Sequence, residues 1–284
     1  MPGQSDPRLS LPTGGAGTRL QVSAGVVALR KTAEPDGVQV SQALHGEIVA
    51  LHHEEGEFGL VQSEQDHYTG WALMATLSAP VIQPTHRVKV ARAHLYAEPS
   101  VKAAPYFLIS LGARVTLTGE QDGRFVRCAR KGWIIADHLA PLSELETAPA
   151  GVAERFLGTP YLWGGRESLG IDCSGLMQQA FDACGVQMPR DSDMQAGWMG
   201  EDLPNWAEAG ALQRGDLVFW KGHVGIMLDD KTLLHSNGHH MATAAEPLSQ
   251  AIERIAPLYG EPTGARRVDV ARLAGKKPDW IIPG

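Results

Sequence analysis

The most informative stretch of this chain of 284 residues reads Gly170-Ile171-Asp172-Cys173-Ser174-Gly175-Leu176-Met177-Gln178. It places one cysteine behind a glycine-rich loop, at the predicted start of a helix. Asp172 suits the N-cap, and an apolar stripe follows at Leu176, Met177, Ala180 and Phe181. The N–H groups and field of a helix start favour a thiolate and can bind an oxyanion. We therefore predict that Cys173 is the nucleophile of a hydrolase. The alternative is a structural cysteine.

The composition is that of an ordinary globular protein, with 43% hydrophobic and 20% charged residues, and the length suits two or three domains. A net charge of -7 without a basic cluster argues against nucleic acid or an anionic membrane as partners. No apolar run approaches the ~18 residues of a membrane span. Residues 1–17 lack the charged and apolar regions of a secretory signal, so we expect a cytoplasmic location.

The three cysteines, Cys128, Cys173 and Cys184, do not form a disulfide framework, because their number is odd. This usage is typical of a reducing compartment. The absence of a CxxC pair argues against a thiolate metal site, and we expect neither a metal nor a cofactor.

The N-terminal half contains a weak repeat. Each copy has short alternating strands, then Gly70-Trp71 or Gly132-Trp133, with Leu77 or Leu139 six residues after the tryptophan. Such copies, of about 60 residues each, are typical of small β barrels and resemble bacterial SH3-type domains. We predict barrels over 20–80 and 86–142, after an N-terminal extension over 1–19.

The C-terminal region, predicted as one domain over 150–284, begins with helical patterns. Strand patterns then follow at 217–220, 223–228, 232–236 and around 265–268. Helices followed by an antiparallel sheet predict an α+β domain.

A cysteine nucleophile needs a base and a group that orients the base. His223 opens one predicted strand and His235 ends the next, with 229–231 between the strands. If these three residues form the loop, we expect His223 to face His235. His235 would then hydrogen-bond one imidazole nitrogen of His223 and leave the other nitrogen of His223 for Cys173. A two-residue loop would put His235 on the other face. The rival is a zinc site that adds His239 and His240, and the absence of a metal-ligand spacing such as HExxH argues against it. We predict His239 and His240 at the surface, because they follow Asn237-Gly238 in a predicted loop.

Five motifs now stand in order: 160–165 (PYLWGG), 172–175 (DCSG), 215–219 (GDLVF), 223–226 (HVGI) and 234–235 (LH). Together they resemble the NlpC family of papain-like cell-wall cysteine peptidases. The resemblance implies a papain-like domain with helices packed on an antiparallel sheet, behind the two SH3-like barrels. It also implies the catalytic triad Cys173, His223 and His235. The substrates implied are peptidoglycan stem peptides, cut between γ-D-glutamate and the diamino acid.

The domain order, without a signal peptide, resembles the γ-D-glutamyl-L-diamino acid endopeptidases that recycle murein peptides. That resemblance implies that Asp172, Glu47 and Tyr68 bind the free α-amino group of an N-terminal L-alanine. A buried ammonium does need a carboxylate partner. The alternatives are an N-cap role for Asp172, surface charge for Glu47 and barrel packing for Tyr68.

Three further residues receive roles from the resemblance. It implies that Tyr161 and Trp163 line the substrate pocket, that Tyr161 donates to the oxyanion, and that Ser174 contacts substrate. Two other functions stay open, because a fold does not determine its function. One is an endopeptidase or amidase acting on intact peptidoglycan, and the other is a non-catalytic module that binds murein peptides. The oligomeric state and the preferred diamino acid are not indicated.

Overall fold

The computed structural model describes residues 6–11, 16–278 and 280. Part of the predicted N-terminal extension (1–5 and 12–15) and part of the predicted C-terminal end (279 and 281–284) therefore lie outside the described residues. The chain divides into two compact units between Glu144 and Leu145. Within the described ranges, no helix combines the length and the apolar character that a membrane crossing requires.

The first unit begins with a seven-stranded antiparallel sheet whose strands lie in the order β3-β2-β6-β5-β4-β1-β7. The strands are β1 (Thr18–Val22), β2 (Val26–Arg30), β3 (Gln39–Leu44), β4 (Ile48–Glu55), β5 (Phe58–Ser63), β6 (Thr69–Leu73) and β7 (Leu77–Ser78), with a 3-10 helix at Met74–Thr76. Apolar residues on alternate positions, such as Val27 and Leu29 of β2, are buried and form its core. This is the SH3-like barrel predicted from the first repeat copy.

The second barrel of this unit combines a sheet in the order β10-β9-β14-β13-β12 with a smaller one in the order β11-β8-β15. Its strands are β8 (His86–Val88), β9 (Arg92–Tyr96), β10 (Pro105–Ser110), β11 (Arg114–Val115), β12 (Leu117–Asp122), β13 (Phe125–Cys128), β14 (Trp133–Ile135) and β15 (Leu139–Pro141), with a 3-10 helix at Ala136–His138. In both copies the strand that contains the tryptophan of the Gly-Trp pair is followed by a 3-10 helix and then by a further strand. The leucine six residues on, Leu77 or Leu139, is buried in both.

The second unit carries an antiparallel sheet in the order β18-β23-β19-β20-β21-β22 with helices around it. The elements are α1 (Pro149–Glu154), β16 (Arg166–Glu167), β17 (Gly170–Ile171), α2 (Cys173–Asp182), α3 (Ser192–Trp198), β18 (Glu201–Asp202), β19 (Leu217–Trp220), β20 (His223–Met227), β21 (Thr232–Asn237), β22 (Ala242–Pro247), α4 (Leu248–Tyr259), β23 (Gly264–Arg267) and α5 (Val270–Leu273). The unit is α+β, as predicted.

Helix α2 is the central helix of this unit. Residues 173–181 are all buried, and the helix packs on α1, β20 and β21. A helix that is buried all round lies within a core rather than on a surface. The first turn of α2 is therefore fixed against the same strands that carry His223 and His235.

Candidate active site

Helix α2 begins at Cys173, as the sequence predicts. Asp172 is its N-cap, and one carboxylate oxygen accepts the Gly175 N–H at 2.7 Å. The preceding loop wraps closely around this start, since a Cβ on Gly175 would lie 2.2 Å from the Gly165 carbonyl oxygen. The glycines thus let the loop hold Cys173, which is buried, at the first helical position.

The Asp172 carboxylate is also part of a buried ion pair that the sequence analysis missed. Arg190 is fully buried, and its guanidinium donates to both Asp172 oxygens, at 2.6 and 3.1 Å. The Gly164 N–H adds a further bond at 2.8 Å. Ser174, which the resemblance assigns to substrate binding, accepts from Arg190 at 2.9 Å and lies 3.3 Å from Asp172. A buried carboxylate needs a cation or hydrogen-bond donors as partners. The burial of Asp172 was therefore the one signal from which a cationic partner could have been expected.

The two predicted histidines do contact each other. His223 Nε2 lies 2.8 Å from His235 Nδ1, and His235 is fully buried. The other ring nitrogen of His235, Nε2, lies 2.7 Å from Glu246 Oε1, and Glu246 is ion-paired with Arg254. The sequence analysis did not identify Glu246 or Arg254, because neither lies in the motifs that carry the resemblance.

The predicted strand register was wrong by two residues. Residues 229–231 do form the loop, but Ile226 pairs with Leu234 and Met227 with Leu233, so His235 does not lie opposite His223. The face prediction was right, because a shift of two positions keeps a side chain on the same face. Gly225 lies beside His235, since a Cβ on it would be 3.2 Å from the His235 Cβ. The imidazole therefore reaches His223 across a residue that has no side chain.

The electrostatics of the thiol differ from the prediction made for the helix start. Burial raises the pKa of Cys173 to about 12, and the Asp172 charge adds to this. The Val224 and Ser174 N–H groups, which hydrogen-bond to the sulfur, and the Arg190 charge act in the opposite direction but are weaker. The desolvation of a thiolate thus outweighs the helix-start field at this thiol.

Burial favours the neutral form of the two imidazoles as well. Burial lowers the pKa of His223 to about 3, with further lowering by His235 and Arg254 and an opposing effect of Glu246. Burial also lowers the pKa of His235, although its bond to Glu246 opposes that change. The contact of Val224 with the sulfur puts the thiol beside the strand residue that follows His223. The thiol and the base thus lie at adjoining positions.

A cavity of about 570 Å³ opens beside His223, and Tyr161 and Trp163 line it, as the resemblance implies. Tyr161 forms an isolated parallel β-bridge with Ile171, which lies two residues before Cys173. Burial raises the pKa of Tyr161, and the charges of Cys173 and Asp172 raise it further, so its phenol keeps its proton near the sulfur. The remaining lining residues are Lys221, Gly222, Asn237, Gly238, His239, Arg254, Ile255, Leu258 and Tyr259.

In the described part of the chain, one group of three side chains offers atoms that could ligate a metal. Nitrogen and oxygen atoms of His235, His240 and Glu246 lie within 4.8 Å of one another. Two of these atoms are already hydrogen-bonded to each other, His235 Nε2 to Glu246. His239 and His240 are exposed, as predicted. The geometry is that of a hydrogen-bonded histidine–carboxylate pair.

Glu47 and Tyr68 lie in the first barrel, and both are buried. Glu47 accepts the Leu44 N–H at 2.9 Å across the turn between β3 and β4, so surface charge is the wrong description for it. Tyr68 lies directly before β6, where its N–H bonds to Asp66. The binding of an α-amino group by Asp172, Glu47 and Tyr68 stays a prediction.

Comparisons with known proteins agree with this geometry. Residues 158–255 match the NlpC/P60 family, and residues 29–77 match the bacterial dipeptidyl-peptidase SH3 domain. The chain is 29% identical to γ-D-glutamyl-L-lysine dipeptidyl-peptidase of Bacillus subtilis over 224 residues, covering 71% of this chain and 73% of that protein. It is also 29% identical to dipeptidyl-peptidase 6 of Lysinibacillus sphaericus, over 60% of each chain.

A solved structure shows the same fold. The crystal structure of an NlpC/P60 family protein from Bacillus cereus aligns with a TM-score of 0.73 at 23% identity, covering 88% of this chain and 99% of that one. Residues 158–255 are therefore an NlpC/P60 domain and residues 29–77 a bacterial dipeptidyl-peptidase SH3 domain, and together they identify the chain as a cysteine peptidase.

Proposed function

We propose that this peptidase hydrolyses the γ-D-glutamyl–L-diamino acid bond of peptidoglycan stem peptides. The observation that supports it most is the hydrogen-bonded pair His223–His235, on strands packed against the start of the Cys173 helix. A base held by a second group beside a cysteine nucleophile is the arrangement that acyl transfer requires. The named activity of the Bacillus subtilis relative supports the choice of bond.

The first step forms a thioester. Cys173 transfers its proton to His223 as the sulfur attacks the γ-glutamyl carbonyl carbon, so neither charged form has to exist alone in the buried site. The Cys173 backbone N–H at the helix start and the Tyr161 hydroxyl stabilise the oxyanion. His223 then gives the proton to the leaving nitrogen as the C–N bond breaks, and the diamino acid departs as an amine.

The second step releases the acyl group. His223 takes a proton from water, and the resulting hydroxide attacks the thioester carbonyl. When the C–S bond breaks, the sulfur recovers its proton from His223, and the product leaves as a carboxylic acid that loses its proton to the solvent. His235 keeps the His223 ring in one orientation throughout. Each proton transfer thus uses a group of this chain or the water itself.

The preferred substrate in this proposal has an N-terminal L-alanine with a free amine, which Asp172, Glu47 and Tyr68 would recognise. The match of residues 29–77 to a dipeptidyl-peptidase SH3 domain supports this, because the segment contains Glu47 and Tyr68. Peptides with that amine are fragments already released from the wall. The proposal therefore includes a role in murein peptide recycling in the cytoplasm.

The test is to incubate the protein with L-Ala-γ-D-Glu-meso-diaminopimelate, its L-lysine counterpart and the N-acetylated form of each. Mass spectrometry follows the products, with Cys173→Ala as control. Release of L-Ala-D-Glu from the free-amine peptides alone is the expected result. Equal cutting of the acetylated forms would refute amine recognition and favour action on intact wall. No cutting of any peptide would favour another amide substrate or a binding module.

A further inference from the structure

We propose that Glu246 is a positioning residue that, through His235, selects which nitrogen of His223 accepts the thiol proton. This inference rests on the proposed function, since it assigns the base of that reaction. It extends the predicted triad by a carboxylate that lies beyond the third member. The contacts that support it form one line from His223 to His235 and on to Glu246.

The line is built by strand register. His235 pairs with Ala244 on β22, and Leu233 pairs with Glu246, so Glu246 lies two positions along from the partner of His235 and on the same face. On the other side of His235, Gly225 separates it from His223. Small residues, Gly225 and Ala244, thus lie beside His235 on both neighbouring strands. Both contacts of the imidazole are diagonal, a spacing that an aromatic ring can bridge.

The protons follow from this geometry. A carboxylate only accepts hydrogen bonds, so the 2.7 Å contact with Glu246 places a proton on His235 Nε2. A neutral imidazole carries one N–H, which makes His235 Nδ1 an acceptor. The 2.8 Å contact with that nitrogen then places the His223 proton on Nε2. His223 Nδ1 is left as the acceptor for the Cys173 proton.

Glu246 must be ionised for this argument to hold. Burial alone would raise the pKa of Glu246, but the hydrogen bond to His235 and the charges of His235, Arg254 and His240 lower it. Arg254, on α4, is directly ion-paired with the carboxylate. Arg254 thus keeps Glu246 an acceptor, and Glu246 keeps His235 in the Nε2–H form.

The experiment compares Glu246→Gln and Glu246→Leu with Glu253→Gln, which changes an exposed carboxylate on α4. A glutamine keeps the shape but can donate as well as accept, so it no longer imposes one tautomer. We expect kcat to fall about 10-fold or more in both Glu246 variants, with KM nearly unchanged, because an imidazole in the wrong tautomer cannot act as the base. The Glu253 variant should match the wild type. Unchanged kcat in Glu246→Leu would overturn the proposal.

A second measurement needs neither substrate nor a Glu246 variant. Long-range ¹H–¹⁵N spectra of the histidine-labelled wild-type protein identify the protonated nitrogen of each imidazole. We expect Nε2–H for both His223 and His235, and Nδ1–H on either ring would refute the assignment. If no stem peptide is cut, these spectra still decide whether both rings hold the tautomers that the inference requires, so failure of the proposed function is distinguishable from failure of this inference.

Discussion

His235 contacts His223 diagonally, across Gly225, at a nitrogen-to-nitrogen distance of 2.8 Å. A side chain at position 225 would crowd the Leu233 side chain and the His235 Cβ, which carries the imidazole. The hydrogen bond that orients the base therefore depends on a glycine that makes no contact through a side chain of its own.

We predict that Gly225→Ala lowers both stability and activity. The new Cβ would lie 2.6 Å from Leu233 Cδ1 and 3.2 Å from the His235 Cβ, so both neighbours must move. Overpacking of this kind costs about 1–3 kcal/mol in the free energy of unfolding. Urea denaturation measures that cost, and kcat measures the displacement of His235.

The matched control is Gly197→Ala in α3, where nothing lies within 4 Å of an added Cβ. Alanine in a helix is favoured over glycine, so this variant should be as stable as the wild type or more stable. Equal behaviour of the two variants would show that the space at Gly225 does not matter.

Arg190 gives a second prediction. Arg190→Met would leave the Asp172 carboxylate buried without its cation, and breaking a buried ion pair costs about 3–5 kcal/mol. Denaturant unfolding should show this loss. Arg214→Met is the control, because its pair with Glu154 is largely exposed and should contribute less than about 1 kcal/mol. Similar losses in both variants would mean that the Arg190 pair does not stabilise the start of α2.

Local signals were sufficient to predict the start of α2. A capping aspartate, a cysteine and an apolar stripe lie within ten residues, and the structure has Asp172 as the N-cap and Cys173 as the first helical residue. The strands of His223 and His235 were predicted for the same reason. The SH3-like fold of each barrel was also predicted from local patterns, since each copy contains a Gly-Trp pair followed by a leucine six residues after the tryptophan.

Partners that are distant in sequence could not be predicted in this way. Arg190 is 18 residues from Asp172, and Glu246 is 11 residues from His235, on a strand that no pattern had indicated. Their proximity depends on how loops and strands cross, which neither helical nor strand periodicity records. The register error at His235 has a different origin. A loop of residues 229–231 makes Leu228 and Thr232 the closing pair, which puts Gly225 opposite His235, and the predicted pairing did not follow from that loop.

The acid stability of the protein should depend on His223. Its pKa is about 3 in the folded site against an ordinary 6.5, so the folded state favours the neutral imidazole. Between pH 6.5 and 3 the unfolded state binds a proton at His223 and the folded state does not, so this contribution to the free energy of unfolding is full above pH 6.5 and falls as the pH drops towards 3. We expect a smaller decrease in unfolding free energy over this range for His223→Gln than for the wild type. The exposed His53→Gln variant should keep the full decrease, and an unchanged decrease in His223→Gln would contradict the prediction.

The reactivity of Cys173 towards iodoacetamide should rise with pH without a plateau near neutrality. Its thiol has a pKa of about 12 in the resting site, and the thiolate is the reactive form, so the reactive fraction keeps growing through pH 9. Mass spectrometry of the alkylated protein gives the rate at each pH. Cys173→Ser is the control, because any labelling that remains in this variant comes from Cys128 and Cys184. A plateau below pH 7 would instead mean that the resting site holds a thiolate–imidazolium pair, and proton transfer to His223 would then precede substrate binding.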